Sequence, residues 1–405
     1  MKTKQCLLLL ALSVGLVACK ETETMTVAGN AIQPGTLEKQ LFDRKKVEGG
    51  FPFYSDFVLE DVVFLEATNE SRIGYPERVF AIGSRYLVWD RDNDAVLAFD
   101  ESGKFLHRIG EKGHDEGEYV EITDVWLDRR KKMVYLLDNH SRQILGYGLD
   151  GTLRKTLATR HFAVSFCIDE DYVWLASTGM NPDKALLLKT EAETGNIVAS
   201  YFQMRVDDND LFLILGSRMF SMADNGQTLF CSPYLNTIYK IDNGDISPLL
   251  TADFGSDGVD DSDLTSDSYI ATVMKRIREY TGYLDDAFRI GDALYFKFRS
   301  WNDRPDTATP YHGLFNLNTK ERHVYGTRYS YDYFDPILYP NGSILGIRDH
   351  SLMFMLNVSM ATDPILAKLP KHPYNTGDKT QMNPVLMIFK ATTENGNCRN
   401  PVPYF

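Results

Sequence analysis

Two acidic clusters have the oxygen-rich composition that a Ca²⁺ site needs. One is the run Asp90–Asp94, and the other comprises Asp257, Asp260, Asp261 and Asp263. Ca²⁺ takes several oxygen ligands, and carboxylates are the commonest of them. However, the first run separates two apolar segments, where Asp and Asn are ordinary turn residues. The second lies in an acidic stretch rich in Gly and Ser. We therefore interpret them as a turn and a solvated loop, and predict no metal site.

Side chains that could carry out a reaction follow no catalytic motif. The sequence contains no Gly-x-Ser-x-Gly elbow, no Gly-x-x-x-x-Gly-Lys phosphate loop and no His-Glu-x-x-His pair. The eight histidines are scattered and none has a zinc-binding spacing. We predict no catalytic residue and no cofactor. The alternative is an enzyme, such as a hydrolase or lyase, that draws its residues from several distant loops.

Two polar segments have the composition of recognition loops. Gly110–Glu121 is long and charged, and Phe298–Pro305 combines an aromatic ring with Arg and Asn. Such mixtures suit contact with a sugar or a peptide. The alternative for the second segment is that Trp301 covers the end of a sheet while the arginines are solvated. The candidate ligand-binding residues are Arg108, Glu118, Tyr119, Trp301, Asn302 and Arg304.

The N-terminus has the pattern of an export signal. Lys2 and Lys4 precede the apolar run Leu7–Leu16, which is too short to span a hydrocarbon core about 30 Å thick. Ala18 then stands directly before Cys19, with Leu at the third position back. This pattern resembles the bacterial lipobox, and the resemblance implies that residues 1–18 are a lipoprotein signal peptide and that Cys19 is acylated. The alternative is an ordinary signal peptide with a chance Cys.

The residues that follow Cys19 predict how the chain is held. Residues 19–50 begin with a stretch poor in large apolar side chains, which predicts a tether to the lipid anchor. Two acyl chains give stable membrane attachment where one is marginal. The acidic Lys20–Glu23 resembles surface-export signals of Bacteroidota lipoproteins. We predict a location on the bacterial outer membrane and leave open the periplasmic and the outer face.

Composition narrows the range of partners. The formal net charge is −13, and a protein of this charge is unsuited to nucleic acid, whose phosphates need clustered Lys and Arg. The expected partners are the membrane and an envelope protein, peptide or glycan. Cys167 and Cys231 lie in apolar segments and are predicted to be buried without a disulfide framework.

A loose repeat organises the rest of the chain. Each unit has three or four short apolar strands joined by polar turns that contain Gly. The two most similar units are Val79–Ile109 and Ile122–Leu153. The second strand of each ends with an Asp, which is Asp90 in the first unit and Asp138 in the second. About six units packed round an axis bury both faces of every sheet. The sequence therefore predicts an all-β, six-bladed β-propeller over residues 51–405. The alternative is a β-sandwich.

Two further elements complete this prediction. The strand from Phe57 to Leu65 has no unit of its own and is expected to complete the final blade and close the ring. Apolar residues from Ser268 onward recur at helical spacing, which predicts a short inserted helix that ends at Gly282.

Parts of the first two units and the last strand resemble a known family. These parts are Arg108–Gly110, Gly117–Tyr119, Val134–Asp138 and Asn383–Lys390. They resemble the six-bladed propeller lipoproteins of Bacteroidota, which are grouped as TolB-like or NHL-like. Here His114–Glu116 replaces the Gly-Pro of that family's usual loop. The resemblance implies the propeller fold and the lipid anchor, and it implies no catalytic residues.

Overall fold

The computed structural model describes most of the chain after residue 36. The described residues are 37–47, 57–177, 181, 185–203, 218–233, 235–258, 281–300, 309–326, 338–339, 344–359, 361, 369–370 and 378–391. Six sheets of four or five strands account for their secondary structure. The chain is a six-bladed β-propeller, as the sequence predicts.

The strands follow one another in chain order, four to a blade. Before the repeats come β1 (Gln40–Leu41) and β2 (Phe57–Phe64). Blade 1 contains β3 (Pro76–Ile82), β4 (Arg85–Asp90), β5 (Ala95–Asp100) and β6 (Phe105–Arg108). Blade 2 contains β7 (Asp124–Asp128), β8 (Met133–Asp138), β9 (Gln143–Gly148) and β10 (Leu153–Ala158). Blade 3 contains β11 (Ser165–Asp169), β12 (Tyr172–Ala176), β13 (Ala185–Glu191) and β14 (Ile197–Gln203).

The second half of the ring repeats this order. Blade 4 contains β15 (Phe220–Met222), β16 (Thr228–Phe230), β17 (Thr237–Asp242) and β18 (Asp245–Asp253). Blade 5 contains β19 (Thr281–Ile290), β20 (Ala293–Ser300), β21 (Thr309–Asn316) and β22 (Arg322–Gly326). Blade 6 contains β23 (Leu338–Tyr339), β24 (Gly346–Arg348), β25 (Ser351–Leu356) and β26 (Val385–Ala391). Short 3₁₀ turns lie at Gly255–Asp257 and Lys379–Gln381.

Tight hairpins connect neighbouring strands within a blade. Asn243 and Gly244 join β17 to β18 with φ values of 52° and 78°. Positive φ at both central residues matches the twist of the paired strands, which is why this turn carries Asn and Gly. The carbonyl oxygen of Gly244 accepts a hydrogen bond at 2.6 Å from the ammonium group of Lys189, which belongs to the neighbouring blade.

Apolar side chains fill the spaces between blades. Between blades 1 and 2, for example, Leu87, Trp89, Val125 and Leu136 pack together and are almost completely buried. The inner strands of a blade are therefore covered on both faces, which explains why their sequences are apolar at consecutive positions rather than at alternate ones. The two cysteines Cys167 and Cys231 are buried and unpaired, as the sequence predicts.

The N-terminal strand β2 closes the ring. It pairs antiparallel with β26, from Phe57 opposite Ala391 to Phe64 opposite Val385. Blade 6 is thereby completed by a strand from the other end of the chain. The predicted closure of the last blade by this strand is confirmed.

Two regions do not follow the sequence prediction in full. The predicted helix from Ser268 lies outside the described residues. Its predicted end at Gly282 is wrong, because Gly282 is part of β19 and pairs with Arg299. Within the predicted tether, residues 37–47 lie against the propeller, where β1 pairs in parallel with β18 of blade 4. No helix among the described residues is long and apolar enough to cross a membrane.

Candidate functional site

The two faces of the ring differ in the length of their connections. We call the end at which the innermost strands begin the loop face, and the opposite end the hairpin face. Connections on the hairpin face are short, such as residues 83–84, 243–244 and 291–292. On the loop face, the connection at residues 109–123 is much longer. A long loop on a rigid scaffold is a usual place for binding residues, so the loop face is the candidate site.

Buried charges surround the axis of the ring where the loop face begins. We call Glu77, Arg78, Asp124, Arg218 and Asp286 the channel-mouth charge network. Glu77 and Arg78 belong to blade 1, Asp124 to blade 2 and Asp286 to blade 5, and Arg218 lies just before blade 4. All five are buried or nearly so. Since a buried charge is costly unless it is paired, their contacts decide whether they stabilise the ring.

Asp124 connects three blades within this network. Its carboxylate lies 3.3 Å from the Nη2 atom of Arg78. It also accepts hydrogen bonds from Ser165 Oγ at 2.7 Å and from the backbone N–H of Phe166 at 3.0 Å. Burial raises the pKa of the Asp124 carboxyl, while Arg78 and the hydrogen-bond donors oppose the rise. The group therefore holds blades 1, 2 and 3 together at the axis.

Arg218 connects the other side of the ring. Its Nη2 atom lies 2.6 Å from Asp286 of blade 5, and its Nε atom lies 3.5 Å from Glu77 of blade 1. Its Nη1 atom donates to the carbonyl oxygens of Glu77 and Ile344, both at 3.2 Å. Blades 1, 4, 5 and 6 thus meet at one guanidinium. Burial lowers the pKa of Arg218, but the carboxylates of Asp286 and Glu77 raise it more.

The channel below this network is almost filled by side chains. A cavity of about 40 Å³ remains, which is room for very few water molecules. Phe80, Trp126, Met222 and Phe288 form much of its wall, and Arg129 lies at its lower end, where its Nη2 atom donates to the carbonyl oxygen of Ile347. Within the described residues, this part of the channel is therefore closely packed.

Blade 5 carries a second buried polar row beside the network. Asp285, Lys297 and His312 stand opposite one another on β19, β20 and β21. Burial lowers the pKa of the Lys297 ammonium, although Asp286 and Asp285 oppose the shift. Burial also places the pKa of His312 well below its ordinary value of 6.5. Arg299 contacts Asp285 at 3.0 Å at the end of this row.

The predicted recognition loop between blades 1 and 2 is firmly held. The Tyr119 hydroxyl donates to the carbonyl oxygen of Asp94 at 2.9 Å, and the Asp94 carboxylate accepts from the backbone of Ile122 at 2.8 Å. The Tyr147 hydroxyl donates to the carbonyl oxygen of Gly117 at 2.6 Å. Burial raises the pKa of Tyr119 to about 12. Tyr119 thus lies inside the loop, which presents its charged residues to solvent.

Arg108 and Glu118 also make contacts within this region. The Arg108 guanidinium donates twice to the carbonyl oxygen of Glu70, at 3.2 and 3.0 Å, and remains exposed. The Glu118 carboxylate accepts from the backbone N–H of Asp115 at 2.9 Å. Glu118 therefore supports the loop locally, whereas Arg108 contacts the connection between β2 and β3. The predicted contact of both residues with a ligand stays a prediction.

The other candidates lie outside the described residues. These are the candidate lipid-attachment residue Cys19 and the candidate ligand-binding residues Trp301, Asn302 and Arg304. The first three residues of the predicted recognition segment, Phe298–Ser300, belong to β20, and Phe298 is buried, so this part of the prediction is wrong. β20 ends at Ser300 and β21 begins at Thr309, both toward the loop face.

The Asp that ends the second strand of a blade has a structural task. Asp90 accepts hydrogen bonds from the backbone N–H groups of Gly74 and Tyr75, both at 2.9 Å. Asp138 likewise accepts from the backbone of Val120 at 2.8 Å. Each Asp thus fixes the loop that enters its blade. The run Asp90–Asp94 is a turn, as predicted, and no metal-binding cluster occurs in the described part of the chain.

Two grooves lie on the hairpin face. One, of about 420 Å³, is bounded by blades 2, 3 and 4 at the lower end of the channel. The other, of about 450 Å³, lies between blades 2 and 3. Charged side chains line both, among them Asp128, Arg130 and Glu170. Several of these charges are already paired, as Arg130 is with Glu170 at 2.6 Å.

The comparison with protein families agrees with this architecture. Residues 58–390, which extend from β2 to β26, match the family described as Domain of unknown function (DUF4934). The chain belongs to this family. No curated protein matches the sequence.

Solved structures show the same fold at low sequence identity. An exported protein of Bacteroides fragilis is similar with a TM-score of 0.65 and 15% identity, over 88% of this chain and 100% of that one. A member of the duf4221 family from Bacteroides vulgatus has a TM-score of 0.49 and 11% identity, over 84% of this chain and 99% of that one. The first of these supports the propeller fold of this DUF4934 chain.

Proposed function

We propose that this DUF4934 protein is an exported lipoprotein of the bacterial outer membrane, anchored through Cys19. Its propeller binds a protein, peptide or glycan partner through the loop face and catalyses no reaction. The signal and lipobox pattern of residues 1–19 supports the anchor. The description of the similar Bacteroides fragilis protein as exported supports the compartment. We include in the proposal the finer grouping with TolB-like or NHL-like propellers.

The difference between the two faces is the observation that carries the binding proposal. The hairpin face has short turns, whereas the loop face carries the long connection at residues 109–123. Among the described residues, the cavity beside the charge network measures only about 40 Å³. A partner is therefore expected to bind across the loops rather than within the channel.

The loop at residues 109–123 gives this face a rigid, acidic part. Its exposed residues include Glu111, Asp115, Glu116 and Glu121, while Tyr119 fixes the loop from within. A loop that is already ordered loses little conformational entropy when a partner binds. Its charge favours a partner with basic groups at the contact.

Intact-mass analysis tests the anchor. The membrane form should begin at Cys19 and carry added acyl mass. The Cys19→Ala variant should lose both the acyl mass and the membrane association. An unacylated chain that is cut elsewhere would contradict the anchor and would indicate a freely secreted or periplasmic protein.

Site-specific photo-crosslinking in the envelope tests the binding face. The crosslinker replaces His114 on the loop face in one variant, and Lys104 in a hairpin-face turn in its matched control. Both residues are exposed. We expect a partner adduct from position 114 and none from position 104. Adducts from position 104 alone would overturn the assignment of the binding face.

A further inference from the structure

Residues 37–47, which we call the N-terminal strap, are fixed to the rim of blades 4 and 5. The backbone N–H of Phe42 donates to the carbonyl oxygen of Asp253 at 2.7 Å, beside the pairing of β1 with β18. The Phe42 ring packs edge-on against Phe296 of blade 5, with ring centroids 4.9 Å apart. Arg322 of β22 donates to the Gln40 side chain at 3.2 Å. The strap therefore has a defined inner and outer side.

Exposed apolar side chains are concentrated in the strap. Gln40 and Phe42 point inward and are buried, whereas Leu41 between them is 41% exposed. Leu37 is 40% exposed, and Val47, whose side chain lies beside Gly326 of blade 5, is 37% exposed. Exposed large apolar residues are few among the described residues, so their concentration in this short segment needs an explanation.

Lysines accompany these apolar residues. Lys39, Lys45 and Lys46 are exposed along the same segment. Acidic groups offset part of this charge, because Asp257 lies 3.1 Å from Arg44 and 3.8 Å from Lys45. The strap itself has a formal net charge of +2 in a chain whose net charge is −13. Apolar side chains next to lysines match the interface of a bilayer, where lysine stems lie along the apolar region and the ammonium groups reach the lipid phosphates.

We propose that the outer side of the N-terminal strap lies against the lipid bilayer that holds the anchor. This inference rests on the proposed acylation of Cys19. The segment from there to Leu37 extends at most about 60 Å. The anchor therefore keeps the strap within reach of the membrane, and a weak interfacial contact is sufficient to orient the propeller.

This contact gives the propeller a definite orientation. The strap lies on blades 4 and 5, and the loop at residues 109–123 lies between blades 1 and 2, on the opposite side of the ring. With blades 4 and 5 toward the bilayer, that loop faces away from the membrane. A partner in the adjoining compartment can then reach it without displacing lipid.

Spin labels on the acylated full-length protein test this orientation. The protein, with Cys398→Ser, is reconstituted in vesicles of phosphatidylethanolamine and phosphatidylglycerol. One variant carries the label at Leu41→Cys, and the matched control carries it at Leu106→Cys, a residue of blade 1 that is 39% exposed. Unchanged thermal unfolding of both labelled proteins shows that the fold is kept.

The collision rates of each label with oxygen and with a water-soluble nickel chelate give the result. We expect the ratio of oxygen to nickel collisions to be several-fold higher at position 41 than at position 106. Equal ratios in protein that floats with the vesicles would overturn the strap contact while leaving the anchor intact. Protein that does not float with the vesicles would overturn both the anchor and the contact that depends on it.

Discussion

Replacement of Asp124 by alanine tests the channel-mouth charge network directly. The Asp124 side chain is fully buried and lies 3.3 Å from Arg78 Nη2. It also accepts hydrogen bonds from Ser165 and from the backbone of Phe166. The change to alanine removes the carboxylate but leaves the Arg78 guanidinium buried. The remaining charge then has lost the partner that offset its desolvation.

The size of the effect follows from this burial. Removal of one member of a buried ion pair costs about 3–5 kcal/mol of unfolding free energy. In a propeller of about 350 residues, the unfolding entropy makes each kcal/mol lower the melting temperature by about 1.4 °C. We therefore expect Asp124→Ala to unfold about 4–7 °C below the parent, as measured by circular dichroism during heating.

Two further variants separate this cause from a general loss of an acidic residue. Asp150→Ala removes an exposed carboxylate that contacts Arg154 at 2.6 Å, and should leave the melting temperature almost unchanged. The double variant Asp124→Leu with Arg78→Met removes both buried charges and should recover most of the lost stability. If Asp124→Ala melts at the parent temperature, the network does not hold the blades together and the reasoning is refuted.

Three other outcomes are expected. Tyr119→Phe removes the hydrogen bond to the Asp94 carbonyl oxygen and should cost about 1 kcal/mol of unfolding free energy; unfolding at the parent denaturant midpoint would contradict its role in the loop. His312 has a folded pKa well below its ordinary value of 6.5, so the unfolded chain takes up the proton first as the pH falls. Stability should therefore be full above that value and decrease below it, and a His312→Gln variant should lose part of this pH dependence in melting curves. Burial raises the pKa of Cys167 and Cys231, so iodoacetamide should label neither in the folded protein and both in guanidinium, with peptide mass analysis as the readout.

The repeat made the architecture predictable from the sequence. Short apolar strands, turns with Gly, and an Asp at the end of the second strand recur at intervals, and each of these signals is local. Ring closure by β2 was predictable as well, because a strand with no unit of its own needs a sheet to join. The end of the inserted helix at Gly282 was predicted wrongly, since Gly also occurs within strands and pairing with Arg299 overrides its preference.

The channel-mouth charge network was not predictable in the same way. Arg78, Asp124 and Arg218 stand far apart in the sequence, and each resembles an ordinary polar residue at the start of a strand. They meet because the inner strands of different blades converge on one axis. Charged residues beside apolar strands were the available signal, but their pairing depends on contacts between blades that no local pattern encodes. Tyr119 shows the same limit. The sequence predicted a ligand-binding side chain, whereas the structure shows a buried ring whose hydroxyl donates within the loop.

The two successive attachments of the N-terminal region have a mechanical consequence. Strand β1 pairs with blade 4 over Gln40 and Leu41, whereas β2 pairs with β26 from Phe57 to Phe64. A force that pulls on the N-terminus must detach the short β1 before it acts on the strand that closes the ring. Under such a force the strap detaches first, and the pairing of β2 with β26 that closes the ring bears the load only after β1 has separated from β18.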